Sequence, residues 1–160
     1  MADTTFPLVI GVGNLHAGDD AAGRLVARNL ARLGGAFDVV ESFGTAADLV
    51  TDFEHRARVL IVDACRSGDS AGTVHRFDVH RETLPDYLNA VSSHGIGVAE
   101  GIALARALGM LPEKCEVIAI EGADFRTGAR LSAAVATAID TCVDEIFERL
   151  SPSPRSPAHQ

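Results

Sequence analysis

Short apolar runs and apolar residues at helical spacing alternate along most of this chain. The apolar runs predict strands at residues 8–10, 37–41, 58–63, 73–78 and 116–121. Apolar positions that recur every three or four residues predict helices over residues 21–33, 46–53, 98–108 and 132–150. Strands that alternate with helices in this way are typical of an α/β protein.

Two of the strands have distinct patterns. Residues 58–63 are apolar on both faces, which predicts a central strand covered by helices on both sides. Residues 73–78 alternate apolar with polar and follow a loop too short for a helix, so they should form an antiparallel edge strand. We therefore predict a three-layer αβα sandwich with a twisted mixed sheet of about five strands flanked by helices.

The chain should form one domain over residues 1–150, followed by a disordered tail. Residues 151–160 are dominated by Pro and Ser and contain nothing that could be buried, which is typical of disorder. No internal repeat or domain boundary is visible in the pattern.

Charge and cysteine content narrow the class of protein. The formal net charge is -8, from 22 acidic and 14 basic side chains without a basic cluster, which argues against nucleic acid and membrane partners. No positively charged segment precedes the first apolar run, and no apolar stretch reaches the roughly 20 residues that span a bilayer. The three cysteines show neither an even count nor zinc-ribbon spacing, which disfavours a disulfide scaffold and a structural zinc site. We expect a cytoplasmic protein.

The first strand leads into a glycine turn, Gly11-x-Gly13, and then to Asp19 and Asp20. The third glycine of a dinucleotide fingerprint is missing because His16 stands in its place, so the evidence for a nucleotide site is weak. A carboxylate at the start of a helix can cap its free N–H groups and complement its dipole. One aspartate suffices for that task, so capping leaves the second unexplained.

Three polar side chains should meet at one end of the sheet. Asp20 follows the first strand, Asp63 ends the central strand, and His94 lies in a small-residue loop before the third helix. Two carboxylates and one imidazole can hold a divalent transition metal. Alternatively, paired carboxylates can share acid and base roles in proteolysis without a protein-bound metal. The spacing leaves both options open, and no HExxH motif is present.

The remaining histidines and cysteines have simpler interpretations. His16 lies close to Asp20 in the sequence, and Cys65 could offer a soft ligand beside Asp63, although a small buried thiol is the more ordinary interpretation. The other two cysteines should lie in the core. Solvated side chains are predicted for His55, His75, His80 and His159.

Several motifs in a fixed order resemble those of the hydrogenase maturation endopeptidases. These motifs are Gly11-Val12-Gly13-Asn14, Asp19-Asp20 with Gly23, Gly44-Thr45, Val62-Asp63-Ala64 with Gly72-Thr73, and Ser93-His94-Gly95. Such proteases trim the C-terminal extension from the precursor of the large subunit of nickel-iron hydrogenases. The resemblance extends from Leu8 to about Leu150.

The resemblance implies roles for individual residues. It implies that Asp20, Asp63 and His94 contact a metal, with the two aspartates as the catalytic residues, and that Glu41 and Thr45 support them. The implied cofactor is a nickel ion carried by the substrate, and no tightly held metal is expected at rest. The implied partner is the large-subunit precursor, and a monomer is expected because so large a substrate needs an exposed crevice.

Three positions depart from the family pattern. Asp20 stands where many relatives have Glu, His16 where an aliphatic residue is usual, and Ser93 where Pro is common. The leading hypothesis is a nickel-dependent endopeptidase. The alternatives are a nickel-sensing chaperone that docks the precursor without cutting it, and a nucleotide-dependent enzyme built on the Gly11 turn.

Overall fold

The computed structural model describes residues 6–88 and 97–151, and their strands form one mixed sheet. The strands are β1 (Leu8–Val12), β2 (Asp38–Ser42), β3 (Arg58–Cys65), β4 (Val74–Asp78) and β5 (Lys114–Glu121). Their order across the sheet is β2-β1-β3-β5-β4. All neighbours run parallel except β4, which pairs antiparallel with β5 at one edge. The predicted mixed sheet and its antiparallel edge strand are confirmed.

Helices cover both faces of this sheet. They are α1 (Ala22–Leu33), α2 (Ala46–Phe53), α3 (Val98–Ala107) and α4 (Ala133–Leu150). One buried apolar cluster joins α1 and α4 to the sheet, and a second joins α2 and α3 to the opposite face. The predicted three-layer αβα sandwich is therefore confirmed.

Strand β3 occupies the centre because both of its faces are apolar. Leu60 and Val62 belong to the cluster under α1 and α4, whereas Val59 and Ile61 belong to the cluster under α2 and α3. The strand continues to Cys65, two residues beyond its predicted end at Asp63, because pairing with β5 extends that far. Asp63 thus lies within the strand and not at its end.

Helix boundaries follow local signals in the sequence. The Thr45 hydroxyl caps α2 by accepting a hydrogen bond from the Asp48 N–H at 3.2 Å. Helix α1 ends at Gly34, whose φ of 66° lies in the left-handed region that glycine tolerates best. A short 3-10 turn, Gly18–Ala21, precedes α1 and contains both Asp19 and Asp20.

Two glycines bring this turn close to the sheet. A Cβ on Gly23 would lie 2.2 Å from the Val62 carbonyl oxygen and 2.4 Å from that of Val12, so the first turn of α1 rests directly on β1 and β3. Gly13 has a φ of 147°, and a Cβ there would lie 1.9 Å from the Asp20 carbonyl oxygen. These backbone contacts fix the 3-10 turn against the carboxyl ends of β1 and β3.

Some sequence predictions lie outside the described residues. The loop that contains Ser93 and His94 is one of them, and most of the predicted tail, residues 152–160, is another. Within residues 6–88 and 97–151, no helix has the length and apolar character needed to cross a bilayer.

Candidate active site

Asp20 and Asp63 lie at the carboxyl end of the parallel strands, close enough for their charges to interact. Asp63 is buried in β3, with 7% of its surface exposed, and Asp20 is half-buried in the 3-10 turn that follows β1. The structure therefore brings together two of the three side chains that the sequence proposed as a site. Ligands in open α/β sheets bind in this same crevice beyond the carboxyl ends of the strands.

Each of these carboxylates has one hydrogen-bond donor among the described residues. The Ala64 N–H donates to Asp63 Oδ1 at 2.8 Å, and the Asn14 N–H donates to Asp20 Oδ2 at 3.2 Å. Asp63 Oδ2 and Asp20 Oδ1 receive no donor from the described part of the chain. These oxygens have lone pairs to offer to a cation, a proton or a water molecule.

The electrostatics of the pair disfavour two negative charges. Burial raises the pKa of Asp63 well above its usual range, the neighbouring Asp20 raises it further, and the Ala64 N–H only partly opposes them. Burial also raises the pKa of Asp20, against the opposing effect of the Asn14 N–H. A divalent cation between the two carboxylates would relieve both the burial penalty and the repulsion.

The contacts of Asp19 explain why the sequence has two adjacent aspartates. Its buried carboxylate accepts hydrogen bonds from the backbone N–H groups of Ala123, Asp124 and Ser132 and from the Ser132 hydroxyl, at 2.6–3.0 Å. Burial raises the pKa of Asp19, but these four bonds together outweigh it and leave the pKa lowered. Asp19 is therefore a structural anchor between the turn, the loop after β5 and the start of α4.

The interpretation that one of these aspartates caps its own helix is wrong, since no side chain caps α1. Asp19 serves the start of α4 instead, at Ser132. Its partners are more than 100 positions away in the chain, so no local pattern could have identified them.

The described contacts of Glu41 and Thr45 are with residues other than Asp20 and Asp63, so their supporting role stays a prediction. Glu41 pairs with Arg24 at 3.0 Å and with Arg28 at 2.9 Å. Thr45 caps α2, and His16 is exposed, with its backbone N–H bonded to the Asn14 side chain. The role of His94 as a third ligand stays a prediction, because that residue lies outside the described residues.

A second polar cluster, formed by Cys65, His75 and Glu121, was not identified from the sequence. The prediction that His75 is solvated is wrong, because only 18% of its side chain is exposed. Cys65 is a buried free thiol, as predicted, and it donates a hydrogen bond to Glu121. Cys115 and Cys142 are buried in the core, which confirms their prediction.

Comparison with known proteins gives one consistent result. The family described as HycI, hydrogenase maturation protease, matches residues 25–149. The chain is 26% identical over 149 residues to the hydrogenase 2 maturation protease of Escherichia coli (strain K12), with 91% of each chain covered.

Solved structures agree with the sequence comparison. A [NiFe] hydrogenase maturation protease, HycI from Thermococcus kodakarensis KOD1, is 25% identical with a TM-score of 0.71, covering 91% of this chain and 92% of that one. An endopeptidase from Escherichia coli has the same fold at 22% identity and a TM-score of 0.78, covering 96% of this chain and 100% of that one.

Proposed function

Since the chain belongs to the hydrogenase maturation protease family, we propose that it removes the C-terminal extension of a nickel-iron hydrogenase large-subunit precursor after nickel insertion. In this proposal the nickel is part of the substrate and serves as the recognition element. The proposal places the reaction in the cytoplasm, with one enzyme chain docking on one precursor. The observation that supports it most is the Asp20–Asp63 pair, in which one oxygen of each carboxylate has no donor among residues 6–88 and 97–151.

The pair is well suited to contact a substrate-borne divalent ion. Two carboxylates with raised pKa values gain from a cation that removes their mutual repulsion. An imidazole from His94 would complete a mixed nitrogen and oxygen set of a kind that nickel accepts. A precursor without nickel would leave the two negative charges opposed, and it would dock less tightly.

We assign the proton transfer to Asp20, which is the more exposed of the two aspartates. Its carboxylate takes a proton from a water molecule while the water oxygen attacks the scissile carbonyl carbon, and it then returns the proton to the departing amine nitrogen. The raised pKa of Asp20 makes its carboxylate a stronger base near neutral pH. Asp63, deeper in the sheet, holds the ion and thereby positions the peptide.

The test is incubation of the full chain with nickel-loaded and nickel-free precursor, with intact mass as the readout. We expect a C-terminal fragment from the loaded precursor alone. Asp63→Asn and Asp20→Asn should each slow cleavage by about 100-fold or more, and His94→Ala should do the same if it is the third ligand.

Asp52→Asn is the matched control. Asp52 also has a raised pKa, from burial and from Asp48, but it lies on α2 and not in the Asp20–Asp63 pair. Cleavage by this variant should stay at the wild-type rate. Cleavage that ignores nickel would contradict the recognition role, and binding without any cleavage would support the docking-module alternative.

A further inference from the structure

Three neighbouring strands, β3, β5 and β4, place a thiol, an imidazole and a carboxylate on the same face of the sheet. Cys65 of β3 is the register partner of Glu121 of β5, so their side chains share a face. His75 of β4 pairs with Ala119, two residues before Glu121, and therefore shares that face as well. This arrangement arises from the topology and is independent of the proposed proteolysis.

The three ligand atoms are close enough to surround one ion. Cys65 Sγ lies 3.1 Å from Glu121 Oε2, His75 Nε2 lies 3.4 Å from the same oxygen, and all three atoms lie within 4.8 Å of one another. Zinc bonds of about 2.0–2.3 Å place the ligands of a tetrahedral site roughly 3.4–3.6 Å apart. The Sγ–Oε2 and Nε2–Oε2 separations of 3.1 and 3.4 Å lie within about half an ångström of that requirement, and the Sγ–Nε2 separation is at most 4.8 Å.

The His75 imidazole places its Nε2 atom close to the Glu121 carboxylate. Within residues 6–88 and 97–151, His75 Nε2 is the buried side-chain nitrogen or oxygen without a hydrogen-bond partner. Native structures rarely leave such an atom unsatisfied, so it calls for an explanation. Its nearest carboxylate oxygens, from Glu121 and Asp69, each lie 3.4 Å away.

The cluster is also rigid. The backbone N–H groups of Ser67 and Gly68 and the Ser67 hydroxyl donate to the Glu121 carboxylate at 2.8–3.2 Å. The His75 ring stacks on Phe77 at 6.4 Å and contacts Tyr87 at 5.9 Å between ring centres. Hydrogen bonds and packing that orient the ligands in this way are typical of metal sites.

We propose that Cys65, His75 and Glu121 bind a zinc ion, with exposed Asp69 or a water molecule as the fourth ligand. Thiolate, imidazole and carboxylate in tetrahedral spacing favour zinc over the harder magnesium and calcium ions. On binding, the S–H bond breaks, its proton passes to solvent, and the sulfur forms a bond to zinc in the place of that proton. A bound zinc ion would contradict the expectation that the protein holds no metal tightly at rest. The ligand Cys65 lies two residues after Asp63 in β3.

The test uses the full metal-free chain with zinc chloride, and with cobalt(II) as a spectroscopic probe. We expect one zinc per chain and a near-ultraviolet sulfur-to-cobalt charge-transfer band. Cys65→Ala should abolish the band, and both Cys65→Ala and His75→Gln should weaken zinc binding by about 100-fold or more. Cys142→Ala, which removes a buried thiol on α4, is the matched control and should change neither result.

Two further measurements keep the result interpretable. Thermal unfolding without metal shows whether each variant is folded, and His75→Gln on the edge strand disturbs the core less than a change at Cys65. Asp20→Asn combined with Asp63→Asn should leave zinc binding intact, which separates this site from the proposed catalytic pair. Absence of zinc binding by the wild type, or retention of the cobalt band in Cys65→Ala, would overturn the proposal.

Discussion

Two pairs of acidic side chains at the same edge of the sheet differ in how fully their oxygens are hydrogen-bonded. Asp19 and Glu121 each accept several hydrogen bonds, and their pKa values are lowered although burial alone would raise them. Asp20 and Asp63 each accept one from the described residues, and their pKa values are raised. Hydrogen bonds hold the first pair in fixed positions, whereas one oxygen of each carboxylate in the second pair has no donor among the described residues.

The contrast is sharpest between Asp19 and Asp20, which are adjacent in the chain. Their different roles cannot be inferred from residue type or from position along the sequence. Their difference comes from what the tertiary structure brings to each, namely the start of α4 for one and Asp63 for the other. This difference should appear in the free energy of unfolding of single variants.

The largest effect is expected from Asp19→Asn. The amide nitrogen would face N–H donors, and charge-assisted bonds to Ser132 would be lost, so we expect a loss of about 3 kcal/mol in urea unfolding at pH 7. Asp20→Asn is the matched variant, and its change should be about 0.5 kcal/mol or less. Equal losses of unfolding free energy in Asp19→Asn and Asp20→Asn would contradict the different roles of the two residues.

Glu121→Gln should have the next largest effect. The neutral amide keeps one acceptor but weakens the bonds from Ser67 and Gly68, so the metal-free chain should lose about 2 kcal/mol. Hydrogen exchange should show faster exchange of these two amides than of the amides within β5. Unchanged exchange would mean that the carboxylate does not hold this loop.

Ser132→Ala removes one of the four bonds to Asp19 and leaves the backbone bond in place. We expect a loss of about 1.5 kcal/mol in urea unfolding, since a hydrogen bond to a charged group is lost while the helix start is retained. Thr137→Ala on α4 is the control, because the Thr137 hydroxyl bonds only to a carbonyl of its own helix among the described contacts.

Asp63→Asn should have a smaller effect than the substitutions at Asp19, Glu121 and Ser132, and its sign should be the opposite. The neutral amide avoids the burial of a charge and the repulsion from Asp20, so we expect a gain of at least about 0.5 kcal/mol at pH 7, together with the loss of cleavage. The same substitution at pH 4 should give no gain, because the wild-type carboxyl is then protonated as well. A loss of stability at pH 7 would show that the ionised carboxylate is well accommodated.

The two pairs also predict the shape of the pH–stability curve. Because the folded-state pKa values of Asp63 and Asp20 are raised, stability falls as pH rises from about 4 through those pKa values. The folded-state pKa values of Asp19 and Glu121 are lowered. The contribution of these two carboxylates to the free energy of unfolding is therefore complete above about pH 4, and it is lost as the pH falls through their folded-state pKa values. The ordinary pKa values of Asp and Glu are about 3.9 and 4.3. Urea unfolding measured from about pH 2 to about pH 8 spans both values, and the free energy of unfolding should be greatest on the acidic side of neutrality.

The sequence predicted the architecture well because its signals are local. Strand β3 is apolar on both faces, and the cap of α2 needs only Thr45 and Asp48. Asp63 could be proposed as a site residue for the same reason, since the position of a polar residue in an apolar run is visible in the sequence alone.

What the sequence missed depends on distant partners. His75 was predicted to be solvated because its neighbours in the chain are polar, yet Phe77 and Tyr87 cover its ring in the folded protein. Glu121 was assigned no role, because its contacts with Ser67 and Gly68 exist only once β3 and β5 pair. The structural role of Asp19 depends in the same way on the start of α4.

The strand order has a consequence for biosynthesis. Strand β5 is the last strand of the described chain to leave the ribosome, yet it occupies an interior position between β3 and β4. Until residues 114–121 emerge, β3 has an open edge and β4 has no partner in the sheet, so the nascent chain exposes unpaired strands that favour association with other chains. Ribosome-bound fragments that stop before β5 should therefore need a chaperone, and the emergence of β5 brings Glu121 to Cys65 and His75.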